Sequence, residues 1–350
     1  MKMTATDNAT LGWFCLRLLI FFVLQELLTP LFTALLLPQA RRLVGAESAP
    51  APTTKKAEKK RKPAPRFGPS AEELISNDDS LPWPRNVDWV RAVGEAAAPE
   101  WRRGAKGKQP YHLNHVRGSL RCKHAAMRVG AALGSLVTVF LLCSLEGRTL
   151  SSVGLRLGGS FACDVALGCA TGFGLVLFIF VVEWRLGWLA LIGRCETFDP
   201  AESFGACLVY DAVFHAAVSL NEELPLRGWL LLNVAELISA QASCGAPAAL
   251  ATAVLVESLL FAALHLGSPG ASRVGLANLV VGGTAAAVNV LISGGLGFPL
   301  GWHWGWNISM GNVFGLSTSG IPISATVIAV APHPAKARRP RPTPRAPPRP

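Results

Sequence analysis

Three short polar clusters interrupt the most apolar part of this 350-residue chain: Asn221-Glu222-Glu223-Leu224-Pro225-Leu226-Arg227, Phe261 with His265, and His303 with Asn307. Ionisable side chains inside apolar, helix-length segments are expensive to hold there and mark a site for chemistry or transport. Glu223 and Arg227 are four apart, so on a helix they share a face, with the acid on the favourable N-terminal side of an ion pair. Glu222 points about 100° away and is left to face a cavity while its neighbour is neutralised. His265 follows Phe261 by one turn, and Asn307 follows His303 by one turn, so each pair also shares a face. A carboxylate outside an ion pair, two histidines and an amide on three helices supply the parts of a hydrolytic site. They are a base, a partner that orients the proton, and donors for an oxyanion. Asp211, His215 and Glu257 are further polar residues in apolar segments; Glu257, two turns before His265, either lines the same cavity or is structural.

Each cluster also has a reading without chemistry. The acidic cluster serves as the wet end of a span that starts at Leu224. His265, just before Gly267-Ser268-Pro269-Gly270, serves as a helix cap group, and the Trp-rich stretch around His303 as an interfacial belt. Pro225 removes a helical hydrogen bond and clashes with the Asn221 carbonyl, so the helix is expected to kink or restart at the acidic pair. Such a break opens backbone to water at membrane depth.

The elements that must position these residues are transmembrane. The chain is 51% hydrophobic and 16% charged, whereas about 25% of residues in a soluble domain carry charge. Candidate spans cover residues 11–37, 129–145, 161–182, 204–220, 224–240, 248–266, 274–292 and 298–314, with 321–330 as a ninth stretch. The expected fold is all-α, a polytopic transmembrane helical bundle with about eight spans. The apolar part of 11–37 exceeds a signal-peptide core and lacks a clean cleavage site. It reads as a span or interfacial helix, with a cleaved leader as the alternative.

Charge divides the chain further. Residues 41–128 hold 19 Lys/Arg against 9 Asp/Glu, while 129–330 hold 6 against 11. The expected organisation is an N-terminal hydrophobic segment (1–40), a basic loop without its own core (41–128), a membrane core (129–330) and a Pro/Arg-rich tail (331–350). Trp83, Trp89, Trp101 and Tyr111 give the loop some capacity to anchor at headgroups. The basic segments lack any nucleic-acid-reading module, which excludes nucleic acid as the expected partner and leaves anionic lipids. Arg41-Arg42, Arg117, Arg121, Lys123, Arg128 and the basic tail place loop and tail on one side of the membrane, which requires an even number of crossings between 129 and 330. The eight cysteines form no Cys-x-x-Cys pair and read as small apolar residues.

Glu-Glu-x-x-x-Arg at 222–227, Phe-x-x-x-His at 261–265 and His-x-x-x-Asn at 303–307, in that order, resemble the three motifs of the CPBP intramembrane protease family, which includes Rce1-type CAAX prenyl endopeptidases. Ser152-Val153-Gly154-Leu155-Arg156 and Gly282-Gly283-Thr284-Ala285 resemble flanking elements of that family, and the likeness covers roughly residues 129–330. The resemblance implies an intramembrane endopeptidase that hydrolyses a peptide bond near the membrane surface, on a membrane-associated peptide or prenylated protein. It implies Glu222 as general base, His265 as its partner, His303 and Asn307 as oxyanion stabilisers, and Glu223 with Arg227 holding the site. Pro225-Leu226 depart from the family's usual Phe before the arginine, which bears on pocket shape.

Other hydrolytic signatures are absent: there is no Gly-x-Ser-x-Gly, no Gly-x-Gly-Asp and no His-Glu-x-x-His. The expected chemistry needs no cofactor, although His265, His303 and a glutamate together have the ligand types of a catalytic zinc site. The rival class is a polytopic transporter or a catalytically silent membrane scaffold, because buried Glu, Arg and His also serve ion pathways.

Overall fold

The computed structural model describes residues 5–47, 118–197, 202–241, 245–268, 271–318 and 323–332; side chains are described from residues 10 to 39 of the first helix and from residue 124 of the second. The four tryptophan and tyrosine anchors, most of the basic loop and nearly all of the tail lie outside these residues. The elements are α1 (Ala5–Glu47), α2 (Gly118–Leu145), α3 (Gly159–Arg185), β1 (Leu189–Thr197), α4 (Phe204–Glu223), a π-helical stretch (Leu224–Leu230), α5 (Leu231–Gln241), α6 (Ala246–Leu264), α7 (Arg273–Ser293), α8 (Gly297–Ile308), a π-helical turn (Ser309–Val313) and β2 (Ala325–Pro332).

Among the described residues, six helical segments are long and apolar enough to cross a bilayer: Thr10–Gln39, His124–Leu145, Gly159–Arg185, Phe204–Gln241, Ala246–Leu264 and Arg273–Ser293. Their outer faces are apolar and open, as at Phe178, Val281 and Ile292. The chain is a multi-pass membrane protein.

The number of spans corrects the expected eight, for two physical reasons. First, residues 204–220 and 224–240 form one 38-residue segment. Pro225 does not break it, because the proline lies in the first turn of the π-helical stretch. There the wider i→i+5 path absorbs its ring and its missing N–H; the Leu231 N–H reaches the Leu226 carbonyl. Second, 298–314 yields the 12-residue α8 and the five-residue π-helical turn that continues it, together about 25 Å long, short of a core of about 30 Å.

The stretch 321–330 is no span either. From Ala325 on its residues enter β2, which pairs antiparallel with β1 from Leu189↔Pro332 to Thr197↔Ala325, with an irregularity between Leu191 and Gly193. The fold is therefore helical with one two-stranded sheet, rather than all-α. Five candidate spans lie between residues 118 and 293, an odd number, so loop and tail share a side only where α8 also crosses.

The core sits around the π-helical stretch, all seven of whose residues are buried. Leu224, Trp229 and Leu231 pack there with Leu142 of α2 and Leu296 before α8. The N-terminal helix α1 closes one side. Phe21 stacks on Trp229 at 5.9 Å, Arg17 pairs with Glu146 at 3.0 Å and donates to Asn233 Oδ1 at 2.7 Å, and Trp229 Nε1 donates to Glu146 at 2.9 Å.

Helix α8 is seated against α3 through glycines on both partners. A Cβ on Gly172 would stand 2.6 Å from the Trp302 carbonyl oxygen, and one on Gly305 would stand 2.6 Å from Cys169 backbone; Gly168 and Gly301 leave still less room. Paired small residues one turn apart let two helix backbones approach closely in a membrane, and here they fix the helix that carries His303 and Asn307. Gly301→Val is expected to destabilise the protein by about 1–3 kcal/mol or more, read as a lowered midpoint of thermal unfolding in detergent.

Candidate active site

The polar clusters meet where α4 runs into the π-helical stretch. Glu223, at the end of α4, and Arg227, in the π-helical stretch, form the i, i+4 ion pair at 3.2 Å. The Arg227 guanidinium also lies 3.0 Å from Glu257 Oε1 of α6 and stacks 3.9 Å above the centre of the Phe261 ring. The Arg227–Glu257 contact is an ion pair by distance, with the Nε–H not directed at the oxygen. On its other side Glu223 Oε1 is 2.7 Å from His303 Nδ1. Arg227, Glu223 and Glu257 are all buried, so one arginine sits between two carboxylates and joins α4, α6 and α8. Glu257 thereby takes the structural of its two readings.

Glu222, one residue before the ion-paired glutamate, faces the other way as its helical offset requires. Its Oε2 lies 3.9 Å from His265 Nε2 and 3.9 Å from His303 Nε2. His265 Nδ1 is 2.8 Å from the Phe261 carbonyl oxygen. A carbonyl only accepts and an ionised carboxylate only accepts, so both histidines donate through Nδ1 and present Nε2 to Glu222. Both imidazoles are too far from the Glu222 carboxylate for direct hydrogen bonds, a separation that suits a bridging water or a substrate oxygen.

Glu222 lines a cavity of about 280 Å³, together with Arg128, Val218, Asn221, Leu226, Phe261, Leu264, His265 and Ser268. Neither His303 nor Asn307 is among these walls. Asn307 lies one turn beyond His303 and is 7% exposed. Of the sequence-predicted residues, Glu222, Glu223, Arg227, His265 and His303 each lie within 3.9 Å of at least one other, and Asn307 is one turn from His303 on α8.

The fit to a metal is poor. Ligands about 2.1 Å from a zinc ion stand about 3.4 Å apart in a tetrahedral shell, closer than either 3.9 Å separation. Among the described residues no group of three or more His, Cys, Asp or Glu side chains is arranged to hold a metal.

Two other polar groups lie in the core. Asp211 accepts from Asn312 Nδ2 at 2.6 Å, from the Ser324 backbone N–H at 2.8 Å and from Ser324 Oγ at 2.8 Å, tying the start of β2 to α4. His215 is fully buried beside the T-shaped Phe214 ring. The contact that sequence reasoning missed is at Asn221: its Oδ1 accepts from Ser135 Oγ at 2.8 Å and from Gln25 Nε2 at 3.2 Å. No periodicity signals a pairing between residues 25 and 221.

A multi-pass helical membrane protein that gathers two glutamates, an arginine and two histidines beside a cavity lined by Glu222 and His265 has a site suited to acid–base chemistry. Residues 205–309, from α4 to the π-helical turn after α8, match the Rce1-like family model, described as type II CAAX prenyl endopeptidase Rce1-like. That match, to a membrane-protease family, contains all three motifs. No curated protein and no solved structure matches the chain.

Removal of the Arg227 guanidinium leaves Glu223 and Glu257 buried without their shared cation. Arg227→Ala is expected to cost about 3–5 kcal/mol, measured as loss of folded protein in detergent by thermal unfolding and size-exclusion chromatography.

Proposed function

We propose that the protein is a glutamate-dependent intramembrane endopeptidase acting on a membrane-associated peptide or a prenylated protein, in the manner of CAAX processing. The observation that carries this reading is Glu222 Oε2 at 3.9 Å from both His265 Nε2 and His303 Nε2, on a cavity wall. Glu222 takes a proton from water as the water oxygen attacks the scissile carbonyl, while His265, fixed by the Phe261 carbonyl, orients that water. The carbonyl π electrons move to oxygen. His303, protonated at both nitrogens, and Asn307 then stabilise the oxyanion, aided by the exclusion of bulk solvent. Collapse of the tetrahedral intermediate breaks the C–N bond, and the proton held by Glu222 passes to the leaving amine. Glu223 and Arg227 support this set: Glu223 fixes the His303 ring and Arg227 compensates Glu223.

Pro225-Leu226 bear on substrate choice, since Leu226 lines the cavity. The basic loop is assigned to the cytosolic or stromal side, with anionic lipids as its partners.

The test is purified protein in detergent with a panel of prenylated C-terminal peptides and leader peptides. Cleavage of at least one is expected, and no cleavage combined with ion-coupled uptake in proteoliposomes would identify a transporter instead. Glu222→Gln keeps the shape and removes the base, so kcat is expected to fall by at least about 100-fold. Asn307→Ala is expected to lower kcat by about 100-fold with a smaller change in KM, both read from initial rates on the cleaved peptide. Exhaustive chelation is expected to leave turnover intact, with less than about one zinc per chain by elemental analysis.

A further inference from the structure

The turn of α4 that carries Glu222 is short of one restraint. Pro225 has no N–H to close the α-helical bond to the Asn221 carbonyl, and among the described residues no donor reaches Glu222 Oε2. Asn221, the residue before Glu222 and its neighbour on the cavity wall, is instead held from outside the helix. Its Oδ1 accepts from Ser135 Oγ of α2 at 2.8 Å and from Gln25 Nε2 of α1 at 3.2 Å. Both donors lie outside the family-matched residues 205–309, and neither lines the cavity.

One backbone oxygen sets the orientation of both amides. Gln25 Nε2 also lies 3.2 Å from the Ala131 carbonyl oxygen of α2 and 3.4 Å from Thr29 Oγ1. A carbonyl only accepts, so the amide nitrogen of Gln25 faces it, and the atom that meets Gln25 from α4 has to be an acceptor, Asn221 Oδ1. Helix α1 is seated closely enough on α2 to hold that geometry. A Cβ on Gly130 would stand 2.8 Å from the Thr33 backbone nitrogen, and one on Gly134 would stand 3.3 Å from Thr29 Oγ1. Small residues at such a contact let two helix backbones approach closely in a membrane, here one turn from Gln25. Ser135 is buried at the same interface.

We infer that Gln25 and Ser135 are positioning residues for Glu222, acting through Asn221. They offset the bond that Pro225 removes and hold the residue before Glu222, while the Glu223–Arg227 pair holds the residue after it. This rests on the endopeptidase reading above. A base displaced by about 1 Å loses much of its rate, whereas substrate binding does not depend on residues away from the cavity. The loss is therefore expected in kcat and not in KM.

The test compares variants on one peptide that the wild-type protein cleaves, with rates normalised to the folded fraction from size-exclusion chromatography. Gln25→Met keeps the length of the side chain and removes its donor, and is expected to lower kcat by about tenfold with KM within about twofold of wild type. Ser135→Ala, the smaller change, is expected to lower kcat by about threefold with KM likewise unchanged, and it is the deciding readout if Gln25→Met does not fold. Either change combined with Asn221→Ala is expected to lower kcat no further than Asn221→Ala alone, because residues that act through one shared partner are not additive. Phe21→Leu, which weakens the contact of α1 with Trp229, is expected to lower the midpoint of thermal unfolding and leave kcat unchanged. Unchanged kcat in the deciding variant, a rise in KM alone, full additivity with Asn221→Ala, or a fall in kcat as large in Phe21→Leu overturns the assignment and leaves the endopeptidase reading in place. Cleavage of no peptide by the wild type overturns both.

Discussion

The structure is organised around a buried cation, Arg227. Arg227 is held between Glu223 and Glu257 and stacked on Phe261. A buried ion survives only where partners replace its hydration. That requirement draws together the end of α4, the middle of α6 and, through Glu223, His303 of α8. Once Glu223 is engaged on both sides, its neighbour Glu222 is left facing the cavity by the helical offset alone. The ion-pair cluster thus orients the Glu222 carboxylate.

The π-helical stretch keeps that arrangement continuous. A helix ending at Glu223 would expose unsatisfied carbonyls beside the acidic pair at membrane depth, where each carries a cost of several kcal/mol. The wider turn instead carries the chain past Pro225, and the same 38-residue segment supplies Glu222, Glu223 and Arg227. π-Helical turns recur at functional sites for this reason: they re-aim side chains without ending the helix. A second such turn follows α8 at Ser309–Val313 and leads into Asn312, which holds Asp211.

The N-terminal helix α1 lies outside the family-matched residues, yet it reaches the site. Gln25 donates to Asn221, immediately before Glu222, and Ser135 donates to the same oxygen. Arg17, Glu146, Trp229 and Asn233 form a second polar junction one side of the π-helical stretch. Polar contacts of this kind have no competing water at membrane depth, so α1 is bound to the core by more than apolar packing.

The amino-acid sequence determined which polar residues interrupt the apolar segments and which of them share a face. Glu223 with Arg227, Phe261 with His265 and His303 with Asn307 are local, and a four-residue spacing on a helix sets each relation before any packing. The apolar runs likewise determined that the chain is a multi-pass helical membrane protein, since length and hydropathy are properties of each segment alone. Three things were decided only by tertiary structure. The fate of Pro225 depended on whether buried neighbours would support a π-helical path, which a propensity for breaking helices does not contain. Residues 325–332 became a strand because β1, more than a hundred residues earlier, offers an edge to pair with. The partners of Arg227 on α6, the docking of Gln25 on Asn221 and the position of Arg128 on the cavity wall all join residues far apart in the chain. No local pattern encodes such contacts, because they exist only once the helices have packed.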